Sequence, residues 1–278
     1  MHEWLDEQRY NSLSEHFKDY PSYIIAEIGS NWKNRIEPKN DLHSCLMSID
    51  YAKAHGANAV KFQLFNHEEM YGKTGSDEFA LPRDYIPRLA EFCKKVNIDF
   101  MCSAFSVEGF EFIDRFVKIH KVASSKVGDG DLLKFIKKSK KPFIISDGMF
   151  DVPVSNKVIP MLCASAYPAT LTDYNLYKMH QYCSAPLGYG LSDHTRGFIL
   201  AEILRAHGCR YFEKHVNFLG RRDTPDACVS IDANQFGLYV KTIRNIKVGR
   251  PRIVKSDARK MWGDRYDAKI KRYVRPKK

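Results

Sequence analysis

The sequence predicts a (β/α)8 TIM barrel, an α/β fold, on three observations. Eight short apolar, β-branched runs alternate with longer amphipathic stretches. Polar or charged residues stand where each apolar run stops, about once per βα repeat. No GxGxxG follows the first run, which argues against an open dinucleotide-binding sheet. A chain of 278 residues suits this class, because barrels reach ~250 residues as one domain.

Taken in order, the first strand is Tyr23–Glu27 and the first helix Lys39–His55. That helix places Leu42, Leu46, Ile49 and Ala52 at spacings of 4, 3 and 3, which is one helical face. The next strands are Ala59–Gln63, Asp99–Ser103 and Lys118–Val122, followed by helices Leu81–Val96, Val107–Phe116 and Asp129–Ser139. The fifth strand is Pro142–Ser146. Only eight residues run from Phe150 to Lys157, with Pro153 among them, so the fifth helix is short or missing. Strands Val158–Cys163, Pro186–Leu191 and Tyr211–His215 complete the barrel, with helices Asp173–Tyr182, Gly197–His207 and Ala233–Lys247.

Composition bounds the function. With 44% hydrophobic and 28% charged residues, the chain is of globular type, not disordered, collagenous or a disulfide scaffold. Apolar runs such as Tyr23–Ile28 fall far short of the ~20 residues of a membrane span. The N-terminus (MHEWLDEQRY) lacks the apolar core of a signal peptide. Seven scattered cysteines without a CxxC read as reduced thiols, and a cytoplasmic location is expected. The net charge of +11 is concentrated at one end: Arg250–Lys278 holds 12 basic and 3 acidic residues, a charge of +9. The other 249 residues hold 32 and 30, or +2, which argues against nucleic acid as a partner. The expected organisation is an N-terminal extension over 1–22, a barrel over 23–249 and a basic tail over 250–278.

The strand-end residues carry the chemistry. One per unit they are Glu27, Lys61, Ser103, Lys121, Ser146, Ser165, Ser192 and Glu213, spanning 186 residues in seven gaps. Strand residues two apart share a face, so Gln63 joins Lys61, His194 joins Ser192 and His215 joins Glu213 at the barrel mouth. Active sites of such barrels lie at this end of the strands. Lys61 and Lys121, with Ser103, Ser124, Ser146 and Ser192, form a cradle for phosphate or carboxylate. His194 and His215 end adjacent strands and suit one weakly held Mn²⁺ or Mg²⁺, with Asp193 and Glu213 expected to orient the rings. A single lysine, serine or histidine at a strand end is ordinary; the shared register is what distinguishes these.

Several segments carry a resemblance: IIAEIGSNW (24–32), GANAVKFQLF (56–65), HKVASSKVGDGDLL (120–133), KPFIISDGM (141–149), LCASAYP (162–168), GLSDHTRG (190–197), FEKHV (212–216) and TPDACVS (224–230). Together they resemble the sialic acid synthase (N-acetylneuraminate synthase) family. The resemblance implies a transferase of carbohydrate biosynthesis. It would condense phosphoenolpyruvate with an N-acylated sugar aldehyde, giving a 2-keto-3-deoxy sugar acid and phosphate with help from a divalent ion, as a homodimer. By motif, Lys61, Lys121, Ser124, Ser146 and Ser192 would hold phosphoenolpyruvate, with Gln63 and Ser103 nearby. His194 and His215 would bind metal, and Glu27, Tyr167 and Asp226 would meet the acceptor.

Three departures from the family pattern stand out. Lys126 replaces a glutamate, Ser165 replaces an asparagine, and a basic tail stands where an antifreeze-like domain usually follows. Lys126 is therefore a candidate catalytic residue in altered form, and Ser165 a candidate substrate contact. The departures also admit a catalytically weak sugar- or phosphate-binding barrel with a regulatory or scaffolding role. A metal-dependent aldolase or hydrolase on the same barrel is the third reading.

Overall fold

Successive strand residues point to opposite faces of a sheet, so a strand buried on both faces reads as a continuous apolar run. The computed structural model describes residues 20–34 and 37–248, and the backbone of two short strands near the C-terminus. Eight parallel strands close into a barrel in sequence order. They are β1 (Tyr23–Glu27), β2 (Ala59–Leu64), β3 (Asp99–Ala104), β4 (His120–Val122), β5 (Phe143–Ser146), β6 (Val158–Cys163), β7 (Gly190–Asp193) and β8 (Tyr211–His215). Closure is made by β8 on β1, with Tyr23 opposite Tyr211 and Glu27 opposite His215.

The helices are α1 (Asp41–Ala54), α2 (His67–Tyr71), α3 (Tyr85–Val96), α4 (Val107–Asp114), α5 (Gly130–Lys138), α6 (Lys178–Tyr182), α7 (Ile199–Ala206) and α8 (Ala233–Asn245). Outward-facing Ile24, Phe62, Ile145 and Phe212 form one core with the helices. Inward-facing Tyr23, Ile25, Ala59, Met101, Ile144 and Tyr211 belong to a second core that fills the barrel's lower half. Above that plug the inward positions turn polar. A packed floor under a polar mouth is what lets charged groups converge without being exposed.

Three elements differ from expectation. The seventh strand begins at Gly190, not Pro186, because Ala185–Gly188 closes a turn with Gly188 at φ +82°. The helix expected over Asp173–Tyr182 is cut to α6, preceded by a 3₁₀ turn at Leu171–Asp173. Tyr174 lies between them, its hydroxyl donating to Ser192 O at 3.1 Å and accepting from His194 N at 2.8 Å. Those inward bonds hold the end of β7 in place of continuing a helix. The short α2 was not foreseen; five residues hold no periodic signal, and a capping box between Asn66 and Glu69 sets it.

No helix is described between β5 and β6, as the eight-residue stretch with Pro153 predicted. That sector leaves an apolar groove of about 590 Å³, walled by Val127, Leu133, Ile136, Pro153, Val154 and Pro186. Among the described residues no helix is long and apolar enough to cross a membrane. Most of the 1–22 extension and of the basic tail lies outside the described residues. Within the tail, β9 (Tyr266–Asp267) pairs antiparallel with β10 (Arg272–Tyr273).

Candidate active site

Strand register brings the polar ends together. Glu27 lies opposite Lys61 on one side and His215 on the other, Ser103 opposite Lys121, and Ser192 opposite Glu213. Lys61 Nζ sits 2.7 Å from Glu27 Oε2 and 3.6 Å from Glu213 Oε2, and donates to Ser103 Oγ at 3.2 Å. Lys121 Nζ donates to Ser146 Oγ at 2.8 Å and lies 3.7 Å from Glu213 Oε1. Ser192 Oγ donates to Glu213 at 3.0 Å, and Gln63 Nε2 to Glu27 at 2.7 Å. All four charged groups are buried. Buried ion pairs are weak stability devices, because desolvation offsets the attraction. Their value here lies in fixed charge at the place where a ligand arrives.

The environment drives the two carboxyls apart. Burial pushes Glu27 above the usual carboxylate range despite Lys61 beside it. Burial opposes ionisation of Glu213 as well, but Lys121 and Lys61 overcome it and hold this carboxyl down at about 2. Burial lowers Lys121, whereas Glu213 and Glu27 outweigh burial at Lys61 and raise it. Glu213 is thus a fixed anion and Glu27 the group able to carry a proton.

A second cluster stands beside the first. His194 Nδ1–H donates to Ala164 O at 2.6 Å, which leaves Nε2 as the lone-pair nitrogen, 3.2 Å from Tyr167 Oη. Burial, then the His215 ring, holds His194 at about 3, so it is neutral. The two imidazole centroids are 5.4 Å apart. His215 Nδ1 is buried without a hydrogen bond, 3.8 Å from Asp226 Oδ1. Asp226 is fixed by Ser30, accepting from its N at 2.6 Å and its Oγ at 2.8 Å. Gly29, at φ +53°, admits this approach; a side chain there would collide with the carboxylate.

The orphaned His215 nitrogen and the neutral His194 fit a divalent ion held by two protein ligands with open positions. Among the described residues no group of three or more His, Cys, Asp or Glu is gathered for a metal. Asp193 and Glu213 do not orient the rings as expected. Asp193 accepts from Thr195 N and Oγ1 and lies 3.4 Å from buried Lys214, while Glu213 faces the lysines. Backbone Ala164 O fixes His194 instead, and Asp226 lies beside His215.

Four candidates form a rim. Ser124 Oγ and Ser165 Oγ are 2.7 Å apart. Lys126 ends the 3₁₀ turn Ser124–Lys126, half-buried, with Nζ 5.9 Å from the Phe105 ring centroid. Tyr167 covers His194 at a centroid distance of 4.2 Å and is half exposed. Sequence reasoning missed Cys163, Ser30 and Tyr174. Cys163 ends β6 opposite Ser192, and burial pushes its thiol up to about 11. Its place at a strand end was a signal, masked by the ordinary burial of cysteine.

Residues 48–253 match the NeuB family. The chain belongs to the NeuB family. It is accordingly a transferase of the sialic acid synthase type. Pseudaminic acid synthase of Campylobacter jejuni is 27% identical over 259 residues, covering 81% of this chain and 74% of that one. An uncharacterised protein of Methanocaldococcus jannaschii is 28% identical over 251 residues, covering 83% and 72%. The N-acetylneuraminic acid (sialic acid) synthetase structure from Leptospira borgpetersenii superposes with a TM-score of 0.72 at 24% identity, covering 89% and 93%. That likeness places the NeuB-family chain on the same barrel fold.

Proposed function

We propose that this NeuB-family protein condenses phosphoenolpyruvate with an N-acylated sugar aldehyde, releasing phosphate and a sialic-acid-like 2-keto-3-deoxy sugar acid. The observation that carries this is the pair of buried lysines, each on a serine hydroxyl, beside the paired His194 and His215 rings, of which His194 is neutral. In this reading Lys61 and Lys121 take the phosphate and carboxylate of phosphoenolpyruvate, with Ser103, Ser146 and Ser192 as hydroxyl donors and Ser124 at the rim. Gln63 holds Glu27 in place at 2.7 Å. His194 and His215 would hold a Mn²⁺ or Mg²⁺ ion, which when bound polarises a carbonyl oxygen.

Carbon–carbon bond formation leaves C2 electron-poor, and water must add there before the C2–O bond to phosphate breaks. Glu27 is suited to hold or release the proton that this exchange moves, since burial raises its carboxyl while that of Glu213 is held down. Fixed lysine charge stabilises the departing phosphate without reorganisation. Tyr167 and Asp226 face the side from which the acceptor would enter, and Ser165 stands beside Ser124 to meet either substrate. Lys126 adds a cation at the rim, suited to a dianionic phosphate. A cytoplasmic, homodimeric enzyme is the setting this reading expects.

The test is phosphate release from phosphoenolpyruvate with Mn²⁺ across a panel of N-acylated sugar aldehydes. Acceptor-dependent release, with a keto acid product of matching mass, is expected. Release with no aldehyde at all, or none with any member, would overturn the reading.

A further inference from the structure

The helix-less sector has to be held by something else, and the residue after Ser146 is where the bonds gather. Asp147 is buried at the end of β5. Its N–H donates to Met161 O at 3.0 Å, and its Oδ1 accepts from Cys163 N at 2.8 Å. Its Oδ2 accepts from Tyr182 Oη at 2.9 Å, with Lys178 Nζ at 3.3 Å. Lys178 is also paired with exposed Asp151 at 2.9 Å. One carboxylate therefore joins the end of β5 to the end of β6 and to α6, across the gap where a helix would stand.

The next residue reinforces the join. A Cβ on Gly148 would stand 2.6 Å from Ser165 Oγ and 3.2 Å from Cys163 Sγ, so only glycine lets the two strand ends approach this closely. On the other side of Asp147, Ser146 Oγ accepts from Lys121. A carboxylate with both oxygens bonded, buried and one residue from that hydroxyl, fixes the hydroxyl's position along the strand.

We propose that Asp147 is a positioning residue of this enzyme: through the Cys163, Tyr182 and Lys178 contacts it holds Ser146, and with it Lys121, in place for the anionic substrate. The inference rests on the cradle reading given above. Asp147 touches no reacting atom, and it takes the place of the absent helix in setting the cradle.

The test is a double-mutant cycle on the full chain, assayed with Mn²⁺, phosphoenolpyruvate and the best acceptor. Asp147→Asn should raise the KM for phosphoenolpyruvate at least about tenfold, with the acceptor KM within about twofold and the thermal midpoint still cooperative. Tyr182→Phe, which removes one bond only, should show the same pattern in smaller degree. Ser146→Ala should raise the same KM, and adding Asp147→Asn to it should have little further effect. If the two changes multiply, or if both KM values move together, Asp147 is a structural residue only and the inference fails. If Asp147→Asn does not fold, Tyr182→Phe carries the same comparison with Ser146→Ala. If Ser146→Ala itself leaves the phosphoenolpyruvate KM unchanged, the cradle reading fails, which is a distinct result.

Discussion

At the scale of single residues, the mouth is a set of charges that stabilise one another, so removing one should show in both affinity and folding. Lys61→Ala and Lys121→Ala should each weaken phosphoenolpyruvate binding by about 2 kcal/mol, or roughly thirtyfold, read by titration calorimetry. Lys61→Met should also destabilise the fold by about 3 kcal/mol, because Glu27 and Glu213 lose their counter-ion in a buried site. Adding Glu27→Gln to Lys61→Met should recover part of that loss in a denaturant melt. Lys126→Glu places a negative charge at the rim where the proposed phosphate lies, and activity should fall at least about tenfold. A rise in phosphate release would favour the weak-barrel reading instead. Away from the mouth, His120 stacks on Phe143 at 5.1 Å and bonds Asp114 at 2.8 Å. Burial lowers this imidazole below its ordinary 6.5, and the Asp114 bond only partly opposes it. The unfolded chain therefore takes up a proton that the folded chain refuses as pH falls below that value, so stability is lost on acidification. Thermal midpoints should drop between about pH 7.5 and 5.5, and His120→Phe should flatten that dependence.

At the scale of elements, what matters is how each strand end is fixed after it leaves the sheet. The β5 unit uses Asp147, and β7 uses Tyr174, whose hydroxyl holds both Ser192 O and His194 N. The last unit is closed by α8, whose N-cap Asp232 accepts from Gln235 N at 2.8 Å while Gln235 Oε1 accepts from Asp232 N at 3.2 Å. Asp232→Ala should cost about 1 kcal/mol of stability in a denaturant melt and leave phosphoenolpyruvate affinity unchanged. Asp232 caps the start of a helix, whereas Asp147 stands at the end of the strand that carries Ser146.

At the scale of the whole molecule, the barrel separates a packed lower half from a polar upper one, so the two imidazoles, unlike the buried lysine and glutamate charges, can change with little effect on the core. His194→Ala and His215→Ala should each abolish Mn²⁺ binding in calorimetry while keeping a cooperative melt. Retained binding in both would remove the ion from this site. The rings lie 5.4 Å apart although 21 residues separate them in the chain, since β7 and β8 pair in parallel side by side.

The sequence by itself determined the barrel, the absent helix and the strand-end residues, because these are set by period, length and proline, which are local properties. It also placed Lys61, Gln63, Ser192, His194, Glu213 and His215 on one face, since strand alternation needs no tertiary information. Tertiary structure alone decided which polar group answers which. Glu213 stands between two lysines contributed by β2 and β4, Asp226 reaches Ser30 across 196 residues of chain, and Asp147 meets Tyr182 of α6. Those pairings depend on barrel closure and loop path, which no periodicity encodes. They also set which carboxyl is held down and which is raised, because burial and neighbouring charge exist only once the strands have met.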